Sequence, residues 1–276
     1  MSFPYKQVFE KAEEALLAYG SKHRAPQEIR ASLDTFKTFE GRRLSDDQFF
    51  SILTAVVFYS GFRAATVTAR MKVIERHFPD WKTVSGFTER EIAQVLSDPE
   101  MIRNERKVAA CVKNANLFRT VIGQHGSFQH YIESFRPTDS FENLMLLKEE
   151  LEGRFHYIGG ITAYHFLTDV GLPVLKPDRV ISRIFFRLGA IDDEGQLLET
   201  VIQGRRFAEA TGLPIRYIDI VFVAYGQAQS PEFGIDRGIC LKEPRCQACG
   251  LTGHCRYYEA TKVQPTRIPG RCAPRA

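Results

Sequence analysis

Four cysteines, Cys240, Cys246, Cys249 and Cys255, crowd into "CLKEPRCQACGLTGHC" with five, two and five residues between them. Thiolates this close in sequence can close around one metal centre, and the central Cys-x-x-Cys lets two sulfurs reach it from a single tight turn. Upstream, "YIGGITAYHFLTDVGLPVLKPDRVISRIFFRLG" sets the pair Gly159-Gly160 between two helical patterns and an isolated Asp178 just before a third. A glycine turn that opens a helix near Thr162 directs successive backbone N–H groups outward, where a phosphate oxygen can accept them. A carboxylate at a helix start is fixed in space by capping. It can stabilise positive charge developing beside it or orient a water.

The bulk of the chain must position these groups. At 276 residues and 44% hydrophobic, it is long enough for one large or two medium domains with a real core. Its net charge of +4 and pI of about 8.7 are compatible with a nucleic-acid partner without requiring one. Of six cysteines, only Cys111 and Cys272 lie outside the cluster, a distribution that suits metal ligation in a reducing compartment better than a disulfide framework. The stretch "MSFPYKQVFEKAEEALLAYG" lacks the apolar core of a signal peptide, and no later run approaches membrane-spanning length. The expectation is a cytoplasmic protein with no membrane partner, nucleoid-associated if the source is bacterial.

Nearly every periodic stretch is helical. In "ERKVAACVKNANLF", Val108, Cys111, Val112, Ala115 and Phe118 recur at spacings of three and four and form one apolar face. Ser45 with Gln48, and Thr88 with Glu91, have capping-box spacing; Asp139 with Glu142 offers a looser version opening "FENLMLLKEELEGRF". The β-flavoured runs "TAVVF" and "IVFVAY" sit inside longer helical patterns, so the fold class is all-α. Gly, Pro and small polar clusters break the chain at "SKHRAP", "FEGRRLS", "FRPTDS", "GLPVLKPD" and "GQAQSPEFGID". No internal repeat is present, and the Pro/Arg-rich tail "TKVQPTRIPGRCAPRA" predicts little order.

The cysteine block resembles the C-terminal cluster loop of the endonuclease III group of DNA repair glycosylases, where the same central pair and final spacing hold a 4Fe–4S cluster. The first gap here is one residue shorter than is usual there. Zinc also accepts four thiolates and stands as the alternative occupant. The Gly159-Gly160 segment is similar to the helix-hairpin-helix of the same superfamily, and Asp178 lies within one residue of the spacing at which a catalytic aspartate follows the second hairpin helix. Three further segments, "QFFSILTAVVFYSGFRAATVTARM", "EMIRNERKVAACVKNANLF" and "GRFHYIGGITAYHFLTDVGL", resemble successive parts of bacterial 3-methyladenine DNA glycosylase I. Together the similarities span roughly residues 45 to 260. Two departures stand out: that enzyme's pocket glutamate falls where this chain has the apolar "AVVF", and its N-terminal zinc-ligand cysteine has no counterpart. The chain thus resembles a hybrid, glycosylase-I-like in its barrel and endonuclease-III-like in its aspartate and cluster.

The resemblance implies a helix-hairpin-helix DNA glycosylase fold, with a six-helix barrel lobe and a cluster lobe. The implied organisation is 1–42 as N-terminal helices packing with the C-terminal lobe, 43–175 as the barrel with its hairpin at about 150–170, 176–258 as the cluster lobe, and 259–276 as a basic tail. Asp178 would be the catalytic carboxylate, and Gly159, Gly160, Thr162 and Lys176 would meet the DNA backbone. The loops "YSGFRAA" and "PEMIRNER" would supply the wedge that fills the gap left by a flipped base, through Phe62 or Arg63 and Met101 or Ile102. Tyr59 and Tyr157 are the candidates to stack on that base, whereas Trp81 and His165 read as packing residues. Lys242, Arg245 and Arg256 would face phosphates.

Strand-nicking members of the superfamily attack with a lysine just before a Thr-Ala pair. This chain has Ile161 before Thr162-Ala163, which cannot be a nucleophile, so a monofunctional glycosylase is implied. The implied partner is double-stranded DNA containing a damaged or mispaired base, 3-methyladenine foremost, bound by a monomer. Two alternatives stay open: a bifunctional glycosylase/AP lyase of the endonuclease III type using Lys176, and a non-catalytic iron–sulfur DNA-binding protein.

Overall fold

In the computed structural model, which describes residues 3–263, every regular element is helical, and among these residues only one isolated antiparallel bridge, Ser230 with Ile235, has β geometry. In chain order the helices are α1 (Tyr5–Gly20), α2 (Pro26–Asp34), α3 (Asp46–Tyr59), α4 (Ala64–Thr68), α5 (Met71–His77), α6 (Trp81–Ser85), α7 (Glu89–Ser97), α8 (Glu105–His125), α9 (Phe128–Ser134), α10 (Phe141–Arg154), α11 (Ile161–Asp169), α12 (Arg179–Leu188), α13 (Leu197–Thr211), α14 (Ile215–Gly226) and α15 (Arg256–Val263). "TAVVF" lies within α3 and "IVFVAY" within α14, because apolar residues on several faces mark a buried helix as readily as a strand. Among the described residues, no helix is long and apolar enough to cross a membrane. The tail expected from 259 is helical as far as Val263; the rest of it, with Cys272, lies outside the described residues.

The chain divides into two compact units. One runs Thr38–Lys176; the other joins the N-terminal residues through Lys37 to the segment from Pro177 onward. Residues just before 43 fall in the middle unit, because Gly41 N donates to Gly171 O at 3.0 Å and the Arg42 guanidinium donates to Asp169 O. Gly171 has φ +86, and a Cβ there would meet Phe39 O at 2.7 Å, so this closure requires glycine.

The middle unit is built on α8, which packs against α3, α6, α7 and α9. Its apolar face brings Phe118 parallel to Phe128, ring centroids 4.1 Å apart, with Phe50, Phe155 and Phe166 edge-on around the pair. Burying each such ring contributes roughly 1.5–3 kcal/mol. The boxes at Ser45/Gln48 and Thr88/Glu91 form as expected: Gln48 Oε1 accepts from Ser45 N at 2.8 Å, and Glu91 Oε2 accepts from Thr88 N at 2.8 Å. The start of α10 differs from expectation. Ser140, not Asp139, is the cap, accepting from Asn143 N at 3.1 Å, while Asp139 N is taken up in a turn by Arg136 O.

In the other unit α14 packs against α1, α2, α12 and α13. Phe9, Phe185, Phe207 and Phe222 meet there at centroid distances of 5.0–5.8 Å.

Candidate functional site

The turn between α10 and α11 is a hairpin closed by its own side chains. Gly160, the residue just before α11, has φ +53, a conformation that disfavours any residue with a Cβ. Its N–H donates to Glu152 Oε1 at 2.6 Å, and Gly159 N–H donates to Thr162 Oγ1 at 2.8 Å. The expectation from the sequence is that these N–H groups are directed outward toward a phosphate oxygen; here both have partners within the hairpin. A carboxylate of α10 already occupies the position an anion would take, and Lys148 Nζ, 2.7 Å from Glu152 Oε2, secures it.

Beneath the hairpin runs α8. Buried Asn114 takes both backbone groups of His156, donating to its O at 3.0 Å and accepting from its N at 2.8 Å. The next residue, Tyr157, has φ +63 and is 37% exposed. Four residues before Cys111, on the same face of the helix, lies Lys107, only 3% exposed. Its ammonium donates to Val57 O and to Ser60 O, the latter at 2.7 Å, satisfying carbonyls at the C-terminal end of α3. The same ammonium lies 4.6 Å from the Tyr157 ring centroid and 5.5 Å from that of Phe62, which is 38% exposed. Burial pushes the Lys107 amine down to about 8 and its neighbour, the Cys111 thiol, up to about 12.

Of the expected base-stacking and wedge residues, Tyr157 and Phe62 are therefore brought together over Lys107. Arg63 is exposed at the start of α4. Tyr59 is half-buried, its hydroxyl 2.9 Å from Thr68 Oγ1 and its ring 5.6 Å from His165, whose Nε2 lies 3.1 Å from Asp169. Met101, another wedge candidate, is turned inward. It is 5% exposed, folded inward by a turn in which its N donates to Asp98 O at 3.2 Å and Asp98 Oδ1 accepts from Glu100 N at 2.8 Å; Ile102 beside it is half-buried. The hydrogen bond from His77, the Glu100 N–H and Arg76 hold the Asp98 carboxyl down to about 2. Trp81 is buried at the first turn of α6.

Lys176, half-buried, ends the middle unit, and Asp178 opens α12 in the other. Asp178 Oδ1 accepts from Val180 N at 2.8 Å and Ile181 N at 3.2 Å. Both cap bonds fall on one oxygen, which orients the carboxylate and leaves Oδ2 uncommitted to the cap.

The cysteine loop is secured by α12 and α14. Arg187, buried, donates to Cys240 Sγ at 3.2 Å, to Leu241 O at 2.6 Å and to Lys242 O at 2.7 Å, and its own carbonyl accepts from the Cys255 thiol at 3.5 Å. Arg183 donates to Cys240 O and Gly226 O. The Tyr225 hydroxyl donates to Cys249, with Sγ at 3.1 Å. Cys246 lies half-buried in a short 3-10 turn, Cys246–Ala248. Burial raises the pKa of Cys240, Cys246 and Cys255. The four sulfurs share a neighbourhood without closing on one point: among the described residues, no group of three or more His, Cys, Asp or Glu side chains is disposed to hold a metal ion. Three of the sulfurs are instead engaged by Arg187 and Tyr225. Of the basic residues expected to face phosphates, Lys242 and Arg256 are exposed, while Arg245 is turned to Tyr19 OH at 2.6 Å and Arg237 O at 3.0 Å.

Lys107, Asn114, Glu152, Arg187 and Tyr225 were not among the residues singled out from sequence. For two of them a signal was present: Lys107 and Asn114 are polar residues in phase with Cys111 and Phe118 on the inward face of α8.

Among solved structures, the chain is similar to the 8-oxoguanine DNA glycosylase of Methanocaldococcus jannaschii, at 21% identity and a TM-score of 0.53 over 79% of this chain and 92% of that one. A trapped endonuclease III–DNA covalent intermediate matches at 18% identity and a TM-score of 0.51, over 86% of this chain and 98% of the other. The 8-oxoguanine DNA glycosylase of Thermotoga maritima matches at 19% identity and 0.50, over 77% and 96%. At these identities the likeness establishes the helix-hairpin-helix glycosylase fold. The sequence model described as Methyladenine glycosylase matches residues 38–176, the limits of the middle unit and half of the chain; Asp178 and the cysteines lie beyond it. The chain is thus a DNA N-glycosylase of the helix-hairpin-helix superfamily and belongs to the methyladenine glycosylase family.

Proposed function

We propose that this glycosylase is monofunctional and hydrolyses the N-glycosidic bond of a damaged base flipped out of double-stranded DNA, an alkylated purine such as 3-methyladenine being the substrate. The observation that carries the reading is the coincidence of the family match with a compact unit that presents two exposed aromatic rings, Tyr157 from the hairpin and Phe62 from the turn after α3. A ring at each place suits the two tasks of base flipping, stacking on the extruded base and filling the gap it leaves. As the base departs, positive charge grows on the sugar, and a carboxylate held by a helix cap stabilises it without reorganisation; Asp178 has that form. Its free oxygen suits it to orient the attacking water. The apolar Ile161 supports hydrolysis over a lysine-derived Schiff base, and Lys176 is the amine that the lyase alternative would need.

The donor set of the cysteine loop, four sulfurs with no imidazole or carboxylate among them and with Arg187 and Tyr225 donating to two, fits a 4Fe–4S cluster better than a hard cation. Cys240, Cys246, Cys249 and Cys255 would hold it. Bound there, the cluster would tie the 240–255 loop into one rigid piece. The reading takes the protein to act as a monomer in the cytoplasm.

The test is mass-spectrometric identification of free bases released from methylated, deaminated, oxidised and undamaged duplexes. Release of 3-methyladenine from methylated DNA is expected; release of another base alone would replace the substrate, and a strand trapped covalently by borohydride would replace hydrolysis with lyase chemistry.

A further inference from the structure

We infer that Lys107 is a positioning residue for base excision, the buried joint that couples the Phe62 loop to the Tyr157 turn. The inference rests on the reading of Phe62 and Tyr157 as gap-filling and base-stacking rings. The geometry is specific. One ammonium ends α3 through Val57 O and Ser60 O and reaches under two rings that are each more than a third exposed. Ser60 lies within the turn in which Phe62 N donates to Tyr59 O, so the carbonyl bond fixes the backbone of the wedge loop as the cation–π contact fixes its ring. On the other side, Asn114, on the same face of α8, pins His156, and Lys107 meets the ring of the residue that follows. The positive φ of Tyr157 is a conformation that a non-glycine residue keeps only when its surroundings enforce it. Lys107 and Asn114 supply that enforcement together with the Thr162 hydroxyl, which donates to Tyr157 O at 2.8 Å.

No carboxylate is paired with Lys107 among the described residues, although an unpaired buried ammonium is costly to a fold. A methionine would fill the same space without that cost. A charged side chain at this point is therefore better explained by what it orients than by what it stabilises. Because its donors go to backbone carbonyls and ring faces rather than to solvent, Lys107 itself does not touch the substrate; it sets the spacing between two groups that do.

The experiment compares wild type with Lys107→Met, Lys107→Arg and Tyr157→Leu, and with the Lys107→Met/Tyr157→Leu pair. Two readouts are used: single-turnover release of bases from methylated duplex, and fluorescence of a 2-aminopurine beside a tetrahydrofuran abasic site, which reports gap filling without chemistry. For Lys107→Met we expect release about 10- to 100-fold slower, the scale of a misplaced positioning group. The 2-aminopurine response should fall with it, while affinity for the abasic duplex changes by no more than about threefold and the melting temperature stays level or rises. Lys107→Arg, which keeps the charge and the donors, restores part of the response. Joined residues give a double variant no worse than about the weaker single. Wild-type fluorescence and rate in Lys107→Met, or additive losses in the pair, would overturn the inference. Should Lys107→Met not fold, Tyr157→Leu decides: an unchanged gap-filling response there shows that the two rings are not coupled. If wild type releases no base from any duplex, the proposed reaction fails, yet the fluorescence series still judges Lys107.

Discussion

Replacing Asp178 separates two roles that one carboxylate combines. Oδ1 accepts from Val180 N and Ile181 N, so Asp178→Ala removes a helix cap with two acceptor bonds, a loss of about 1 kcal/mol. For a chain of this size that is about 2–4 °C in melting temperature. Asp178→Asn keeps a good capping side chain and should cost a few tenths of a kcal/mol at most. Loss of the charge facing the developing cation, by contrast, should slow excision by about 10²–10³, or roughly 3–4 kcal/mol of transition-state stabilisation. The two variants should therefore be separated by one assay and not by the other: Asp178→Ala melts lowest and Asp178→Asn is nearly as stable as wild type, whereas both are equally slow in excision. Thermal unfolding followed by circular dichroism, paired with single-turnover base release, reads both quantities. An Asparagine variant that excises at the wild-type rate would refute the catalytic role and leave Asp178 a helix cap.

Three further outcomes follow from the same geometry. Protein prepared without oxygen should contain iron and acid-labile sulfide in equal amounts, and Cys246→Ser should lose both; stoichiometric zinc would refute the cluster. Glu152→Gln removes the carboxylate that accepts from Gly160 N, so binding to undamaged duplex, measured by anisotropy, should strengthen about fivefold at low salt, the effect of removing ~1 kcal/mol of repulsion, and the gain should shrink as salt is raised; unchanged affinity would mean DNA does not approach this hairpin. The Asp98 carboxyl is held down to about 2 from 3.8, chiefly by His77, so its stabilising contribution is complete above the unfolded value and is lost as pH falls from about 4 through about 2; hydrogen exchange in the Asp98–Met101 turn should accelerate over that window, and Asp98→Asn should abolish the pH dependence.

Local signals in the sequence carried much of the architecture. Periodicity gave α8 its inward face, and side chains that recognise their own backbone marked the starts of α3 and α7. The error at α10 was of the same local kind: Asp139 and Ser140 are both competent caps, and the choice was made by a turn at Arg136, whose φ of +49 no pattern announces. Burial of Met101 was likewise invisible, since an apolar residue in a loop looks the same whether it faces a groove or a core. The hairpin showed the limit most clearly. Its glycines were legible, but their N–H groups are claimed by Thr162 and by Glu152, the latter a residue on the preceding helix whose reach depends on how α10 and α11 meet. Lys107 was hidden for the opposite reason: lysine is ordinarily assigned to solvent, and only its phase with Cys111 and Phe118 argued otherwise.

The unit Thr38–Lys176 is one uninterrupted stretch, whereas its companion is assembled from both ends of the chain. On the ribosome this imposes a schedule. Helices α1 and α2 emerge before the middle unit, bearing Val8, Phe9, Leu16 and Leu33 that end fully buried, yet α13 and α14, against which α1 packs, arrive only after it. At ~5–20 residues per second, roughly 10–40 s separate the two. During that interval the family's own segment can complete its core while an apolar N-terminal hairpin waits uncovered. The price of framing a continuous unit between two distant segments is thus a nascent chain that offers chaperones a binding surface before the middle unit is made, and a protein in which loss of either segment would strip the same core.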